Sequence, residues 1–218
     1  TADSSGPVIT NVDLDMDADP AQLVITFDEP VKAAATLDVT DISLQSAVGG
    51  GSSYTLTDSA SADNNIATTV TISLSETDTD EIKKLTRTSG LGTATTNTFL
   101  VMAATAVTNT VDIAPIAITS GAARAADTVT ADATAPELVT GGFELNLDGA
   151  SPTLTLTFDE PIRAATGFTV TGVAIEQAAG GGGAAVVLSS DSSTASLDGS
   201  RSIVIDLGPN DVDAIKIQ

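Results

Sequence analysis

The 218-residue chain has no cysteine, no histidine and no tryptophan. The absence of cysteine excludes a disulfide framework, a thiolate-ligated metal cluster and thiol chemistry. Without histidine or cysteine the chain also lacks the commonest general base and the most reactive nucleophile, so we do not expect an enzyme. A carboxylate pair of the glycosidase type stays open from sequence alone, although five Phe and one Tyr leave few aromatic rings to stack on a sugar.

Positive charge is scarce as well. Eight Lys and Arg residues face 29 Asp and Glu residues, which gives a formal net charge of -21. Such a surface repels nucleic acid and anionic membranes, so neither is expected as a partner. Two interpretations of the acidity stay open: adaptation to salty water or divalent cations, and simple solubility of a long polymer.

Long apolar runs are missing too. No segment reaches the length of a membrane span, so we expect no membrane insertion. No signal peptide opens the chain, and we expect it to be a mature protein or an internal segment. What is plentiful is small apolar and β-branched residues: 42% of the chain is hydrophobic with very few aromatics. A core of this kind suits two thin sheets packed face to face.

The strongest signal is an internal repeat. Five blocks return in the same order at a nearly constant spacing, which chance is very unlikely to produce. The paired blocks are residues 1–7 and 130–136, 23–34 and 154–165, 49–51 and 180–182, 70–74 and 203–207, and 80–83 and 213–216. We therefore predict a complete first domain over residues 1–129 and a second domain over residues 130–218.

The second copy lacks part of the pattern. Its last residue, Gln218, aligns with Leu85, so it has no counterpart of residues 86–129. That stretch contains two predicted strands, at residues 98–102 and 127–129. We expect either that the real chain continues or that another subunit supplies the missing strand.

Alternation of apolar and polar residues with a period of two predicts strands over most of each copy. Pro30 is expected to end its strand, because proline cannot donate to a ladder. The glycine-rich residues 49–53 predict a flexible hairpin loop. The first five predicted strands of the first copy are residues 8–17, 23–27, 37–45, 54–57 and 68–74.

One helix interrupts the strands in each copy. Ser75 and Asp78 fit a capping box, in which the serine accepts from an amide three residues on and the acid reaches back. The second copy opens the same helix with Pro209, at an early helical position that suits proline, and Asp211 follows two residues later. About seven strands with turns between them indicate a sandwich.

The residues Thr26-Phe27-Asp28-Glu29-Pro30-Val31 resemble the bacterial Ig-like repeats whose signature strand ends in Phe-Ser-Glu-Pro-Val. The chain is especially similar to the tandem repeats of giant surface proteins in bacteria and marine protists. Matching features are Tyr54-Thr55-Leu56, the acidic helix at residues 78–84, and Phe99-Leu100. One departure is residues 111–115, which read Val-Asp-Ile-Ala-Pro where such repeats have Asp-x-Ala-Gly-Asn.

The resemblance implies an all-β fold of tandem Ig-like β-sandwiches with one short helix per repeat. It also implies an extracellular or cell-surface location, with a role in adhesion, spacing or filament formation, and no catalysis.

The repeated acidic pairs Asp28, Glu29, Asp159 and Glu160 are the best candidates for a metal site. Carboxylates at a strand end, near Asp3 or Asp132 at a domain start, offer oxygen ligands for calcium, which needs six to eight of them. The competing interpretation is that these acids are simply solvated.

Two other motifs favour ordinary structural roles. Asp13, Asp15, Asp17 and Asp19 resemble the start of a calcium loop, but apolar residues alternate with them and no glycine follows at the sixth position, which indicates a solvated strand face. Residues 180–183 are four glycines without the Gly-Lys-Ser/Thr of a phosphate loop, and we expect a mobile hairpin there.

The function predicted from sequence is a structural repeat unit of an extracellular filament or surface array. Its partners would be other copies of itself or adjacent repeats of the same chain, joined through Ig-like domains, with strand donation into the incomplete second domain as one route. The alternative is a calcium-dependent adhesin or carbohydrate-binding module of a giant surface protein. No cofactor other than calcium is expected.

Overall fold

Strands make up most of the ordered structure in the computed structural model, which describes residues 3–61, 66–148, 150–178, 183–196 and 198–218. The chain divides into two compact units, Thr1–Thr134 and Ala135–Gln218. The residues that open the second sequence repeat, 130–134, therefore belong to the first unit. The mainly β character predicted from sequence is confirmed.

The described strands of the first unit form two sheets. In one, the strands follow the order β5-β6-β2-β1-β9, and in the other the order is β4-β3-β7-β8. Its strands are β1 (Ile9–Asp15), β2 (Gln22–Val31), β3 (Ile42–Ala47), β4 (Gly50–Thr55), β5 (Ala60–Ser61), β6 (Ala67–Ser73), β7 (Phe99–Met102), β8 (Arg124–Ala125) and β9 (Thr128–Thr130).

One buried cluster joins the two sheets of the first unit. It includes Leu23 and Ile72 from the first sheet and Leu44, Leu100 and Met102 from the second, all of them almost fully excluded from solvent. The alternation of Val12 and Leu14 inward with Asp13 and Asp15 outward along β1 is the pattern expected of a strand with one buried face. The strand predicted at residues 8–17 is confirmed over Ile9–Asp15, where Asp13 and Asp15 lie on the outer face.

The described residues of the first unit also form the helices α1 (Ala33–Thr36) and α2 (Glu76–Ser89). The α2 helix begins at Ser75, whose hydroxyl oxygen accepts from the Asp78 amide at 3.0 Å, and ends at Gly90 in the left-handed conformation, with φ of 71°. Short 3₁₀ turns lie at Val39–Asp41, Thr95–Asn97, Ala104–Ala106 and Ser120–Ala122.

The second unit repeats the first two-thirds of this pattern. Its sheets have the orders β10-β11-β15-β14 and β12-β13. Its elements are β10 (Leu138–Asn146), β11 (Thr153–Ile162), α3 (Ala164–Gly167), a 3₁₀ turn at Val170–Gly172, β12 (Ala174–Glu176), β13 (Ala185–Val187), β14 (Ser193–Thr194), β15 (Ser200–Asp206) and α4 (Pro209–Lys216).

Three local predictions need correction. Each unit has a one-turn helix, α1 or α3, besides the predicted helix, so one helix per repeat is too few. The β2 strand continues past Pro30 to Val31, because its ladder with β6 skips from Thr26 to Val31 and never requires an amide hydrogen from Pro30. The β3–β4 hairpin is tight, with Ala47 paired to Gly50, rather than a flexible five-residue loop. The matching glycines 180–182 lie outside the described residues.

Candidate functional site

The repeated aspartates Asp28 and Asp159 each form hydrogen bonds with the backbone of their own unit. Asp28 Oδ1 accepts from the Val8 amide at 2.7 Å, and the Asp28 amide donates to the Val8 carbonyl at 2.9 Å. In the second unit, Asp159 makes the same two contacts with Glu137, at 2.8 and 3.0 Å. Each aspartate thus holds the chain just before β1 or β10 against the irregular part of β2 or β11.

Glu29 belongs to a different cluster, which is centred on the buried side chain of Asn109. The Asn109 amide nitrogen donates to Glu29 Oε2 at 3.2 Å, to Asp3 Oδ2 at 3.2 Å and to the Ser5 carbonyl at 3.1 Å. Its side-chain oxygen accepts from two backbone amides of the loop 111–113. Asn109 therefore fastens the start of the unit, the bulge of β2 and a late loop to one another.

These contacts do not assemble the predicted calcium ligands into one group. Glu160 lies half-buried in β11, and Asp132, which the sequence placed near Asp159, forms an ion pair with Lys83 in the first unit at 3.1 Å. Among the described residues, no group of three or more acidic, His or Cys side chains is arranged to hold a metal ion. Calcium binding therefore stays a prediction from the sequence.

Asp78 is fully buried at the start of α2, and its carboxylate accepts hydrogen bonds from several donors. Its Oδ1 accepts from the Tyr54 hydroxyl at 2.8 Å, the Thr57 hydroxyl at 2.8 Å and the Thr57 amide at 3.0 Å. Its Oδ2 accepts from the Ser59 amide at 3.1 Å and from the Ser59 hydroxyl. Burial alone would raise the pKa of Asp78, but these donors outweigh it and hold the pKa below its usual value.

The second unit has the same arrangement at Asp211, which is 4% exposed at the start of α4. Its carboxylate accepts from the Ser189 amide at 3.0 and 3.1 Å, from the Ser189 hydroxyl at 3.1 Å and from the Ser192 hydroxyl at 2.6 Å. Burial opposes ionisation here too, and the serine donors again bring the pKa below its usual value.

The sequence placed Asp78 in a capping box, and that part of the prediction is wrong. The Ser75 amide donates to Ser59 Oγ at 3.0 Å, and Ser59 in turn donates to Asp78, so the acid does not reach back to Ser75 itself. In the second unit the Gly208 amide donates to Ser192 Oγ at 2.9 Å in the same way. The signal for this role was in the alignment, because acid and serine recur together in both copies.

This network is suited to holding structure rather than to reaction. A carboxylate whose pKa is lowered is ionised at neutral pH and is a weak base, so neither Asp78 nor Asp211 is suited to accept a substrate proton. What each one does is fasten the N-terminal end of a helix to the loop that follows a β hairpin.

The second unit differs from the first in two uncovered sheet edges. In the first unit β1 lies between β2 and β9, and β3 lies between β4 and β7. Their counterparts β10 and β12 each pair on one side alone among the described residues, β10 with β11 and β12 with β13. No counterparts of β7, β8 and β9 are formed by the described residues of the second unit.

The uncovered edges leave core positions open to solvent. Val12, 1% exposed, pairs with Ile25 in the first unit, and Phe143, 47% exposed, takes its place opposite Leu156 in the second. Other positions that are buried in the first unit and exposed or half-buried in the second are Leu138, Leu145, Leu156, Phe158, Val173, Ile175 and Ile215.

An open apolar depression of about 190 Å³ lies beside β12. Ile175, Val186 and Ile215 form its apolar lining, and Glu176, Gln177, Ala184 and Gln218 complete it. In the first unit the residues aligned with Ile175 and Ile215 are Leu44 and Ile82, and both are fully buried. The depression is therefore core volume that the second unit leaves unfilled.

None of the helices among the described residues is long and apolar enough to cross a membrane. Comparison with known proteins identifies no relative: no family model, no curated protein and no solved structure matches the chain.

Proposed function

We propose that this protein is a structural repeat unit of an extracellular filament or surface array. Each unit is an Ig-like sandwich that acts as one bead, and the array assembles through contacts between such domains. Other copies of the chain, or adjacent repeats of the same chain, are the partners, and strand donation into the second domain is one mode of contact.

The observation that carries this proposal is the repetition of buried scaffolding rather than of a pocket. Asp78 and Asp211 occupy the same buried position with the same kinds of donor, and Asp28 and Asp159 make the same backbone contacts. What the two units share is thus the means of holding a strand and a helix in place, as a repeated building block requires.

The junction between the repeats supports the same proposal. The Asp17 carboxylate accepts from the Ala133 amide at 2.9 Å and from the Thr134 hydroxyl at 3.0 Å, while Lys83 pairs with Asp132. The segment that follows β9 is therefore held against the first unit by its own contacts, which suits a unit that acts as one bead.

Immunogold electron microscopy tests the proposal, with antibodies raised against the 218-residue chain. Intact, unpermeabilised cells should carry the label on their outer surface or on fibres attached to it. Label that appears only after permeabilisation would overturn the proposed location and with it the proposed function.

The calcium-dependent adhesin remains the competing prediction. A chelator separates the two, because a filament unit held by the contacts described above should keep its melting temperature. A marked fall in melting temperature with chelator, restored by about 1 mM calcium, would favour the adhesin.

A further inference from the structure

We propose that the second unit is an acceptor for a polypeptide segment that carries the pattern of β7 and β9 and comes from outside these 218 residues. The inference rests on the proposed function and deepens it by naming the partner's chemistry, direction and register. The first unit serves as the template, because it shows its own segment seated at both of the corresponding places.

The first place is the free edge of β10. In the first unit β9 lies parallel to β1, with Asp13, Leu14 and Asp15 opposite Thr128, Val129 and Thr130. Residues 13–15 of β1 pair with residues 22–24 of β2, and Glu144, Leu145 and Asn146 of β10 pair with the aligned residues 153–155 of β11. Residues 13–15 therefore correspond to residues 144–146. A donated strand is therefore expected to run parallel to β10 opposite residues 144–146.

The second place is the free edge of β12. In the first unit β7 is antiparallel to β3, with Leu100 opposite Leu44 and Met102 opposite Ile42. The corresponding residues of the second unit are Ile175 and Val173. The donor therefore needs large apolar residues at two alternate positions, as Leu100 and Met102 are, to cover this edge.

The apolar surface beside these edges supplies the driving force. Ile9 is 8% exposed in the first unit, and its counterpart Leu138 is 46% exposed. Phe143 is likewise exposed in β10, and the depression beside β12 is lined by Ile175 and Ile215, which pack against the core of the second unit. Covering such a surface is favourable, because it removes apolar area from water.

A second copy of this same chain is a poor donor. Its own β7 and β9 are already paired with β3 and β1 inside its first unit, and Leu100 and Met102 are already buried there. Donation by that copy would break the contacts that it makes. A segment that is not already paired in a sheet breaks no such contacts when it binds.

One residue limits how closely the donor follows the first unit. A Cβ atom at Gly6 would lie 2.0 Å from the Ala114 carbonyl oxygen, so this approach requires glycine. The second unit has Ala135 at the aligned position. The donor is therefore expected to take a different path from residues 113–114, while keeping the two strands.

The test uses the full chain and a synthetic peptide of residues 95–130 of this sequence as the probe. Titration calorimetry should show one peptide bound per chain, and amide exchange should slow at residues 144–146 and 173–176. A control peptide with L100D and M102D should bind at least about tenfold more weakly, since both side chains would place a charge in the apolar surface.

A covalent version keeps the test decisive if the peptide is poorly soluble. Because Gln218 aligns with Leu85, the chain is extended after Gln218 by a copy of residues 86–130. Exchange at residues 144–146 and 173–176 should again slow, and the same two aspartate substitutions in the added copy should abolish the effect.

Three results would overturn the inference: no change in exchange with either probe, protection of the first unit alone, or concentration-dependent protection of the same amides without any probe. The last result would identify a second copy as the occupant. Surface labelling of cells is independent of all three, so loss of labelling would reject the proposed function whatever the peptide does.

Discussion

Asp78 and Asp211 bury a negative charge in a protein that has 29 acidic residues to place. Burying a carboxylate is costly unless donors replace the water that it loses. Hydroxyls and amides of Tyr54, Thr57 and Ser59 do so for Asp78, and Ser189 and Ser192 do so for Asp211. The buried carboxylate then holds the loop that carries its donors in place. These two acids therefore have a structural role, which differs from keeping the protein soluble.

Replacement of Asp78 by asparagine should lower the free energy of unfolding of the first unit by about 2–4 kcal/mol, because an amide group would face donors that need an acceptor. D211N should destabilise the second unit in the same way. Amide exchange of β6 and β15 as a function of urea measures the two units separately.

The matched control is D213N, which removes the same charge from the exposed side of α4. Surface substitutions of this kind usually change stability by less than about 0.5 kcal/mol. An effect of D213N as large as that of D211N would mean that net charge, and not the buried network, accounts for the loss.

The lowered pKa of Asp78 also predicts an acid dependence. The pKa of Asp78 in the folded state lies below that of an unfolded aspartate, 3.8, so the folded chain takes up this proton at a lower pH than the unfolded chain does. Its contribution to stability is therefore complete above about pH 5 and is lost progressively as the pH falls through the lower folded value. Urea midpoints of the first unit should fall more steeply below pH 4 in the natural chain than in D78N, and equal slopes would contradict this.

At the scale of the elements, local sequence patterns predicted a large part of the fold. The β7 and β9 strands, the start of α2 at Ser75 and the start of α4 at Pro209 all lie where the sequence placed them. These features depend on signals within a few residues, such as alternation, a capping hydroxyl or a proline at the first helical position. The repeat then carried the assignments of the strands and the helix before residue 86 over to the second copy.

What the sequence missed depends on distant partners. Asn109 contacts Asp3 and Glu29, which lie 106 and 80 residues away in the chain, and no local pattern connects them. The parallel pairing of β9 with β1 is equally remote. Glu29 was therefore assigned to a metal hypothesis, since its amide partner was not recognisable from spacing.

The segment that leaves β9 offers a test at the same scale. The Ala133 amide and the Thr134 hydroxyl both donate to the Asp17 carboxylate and hold its pKa below the usual value. The D17A variant should therefore speed amide exchange at Ala133 by about tenfold or more, while exchange in β6 stays unchanged.

The neighbouring exposed acid Asp19 provides the control for that variant. The substitution D19A should leave exchange at Ala133 as it is. If D17A and D19A had equal effects, the contact seen at Asp17 would not be what fixes the segment.

The two units of the chain should unfold separately, and the second unit should unfold first. The buried cluster of the first unit draws on both of its sheets, whereas Phe143, Leu145 and Ile175 of the second unit remain exposed or half-buried. Less buried apolar area means less stabilisation against unfolding.

The chain offers a convenient probe for this order. Tyr54 is the single tyrosine and there is no tryptophan, so tyrosine fluorescence reports on the first unit alone. Far-ultraviolet circular dichroism reports on both units. Part of the dichroism should be lost at urea concentrations where Tyr54 fluorescence is unchanged, and coincident transitions would contradict the prediction.

The parallel pairing of β1 with β9 has a mechanical consequence. These are the first and last strands of the first unit, and the Asp127 amide, which donates to the Val12 carbonyl at 2.7 Å, adds to their ladder. A pull on the chain at both ends of this unit slides two parallel strands past each other instead of peeling them apart. Their hydrogen bonds must then break together under shear, so the first unit is built to resist tension along the chain.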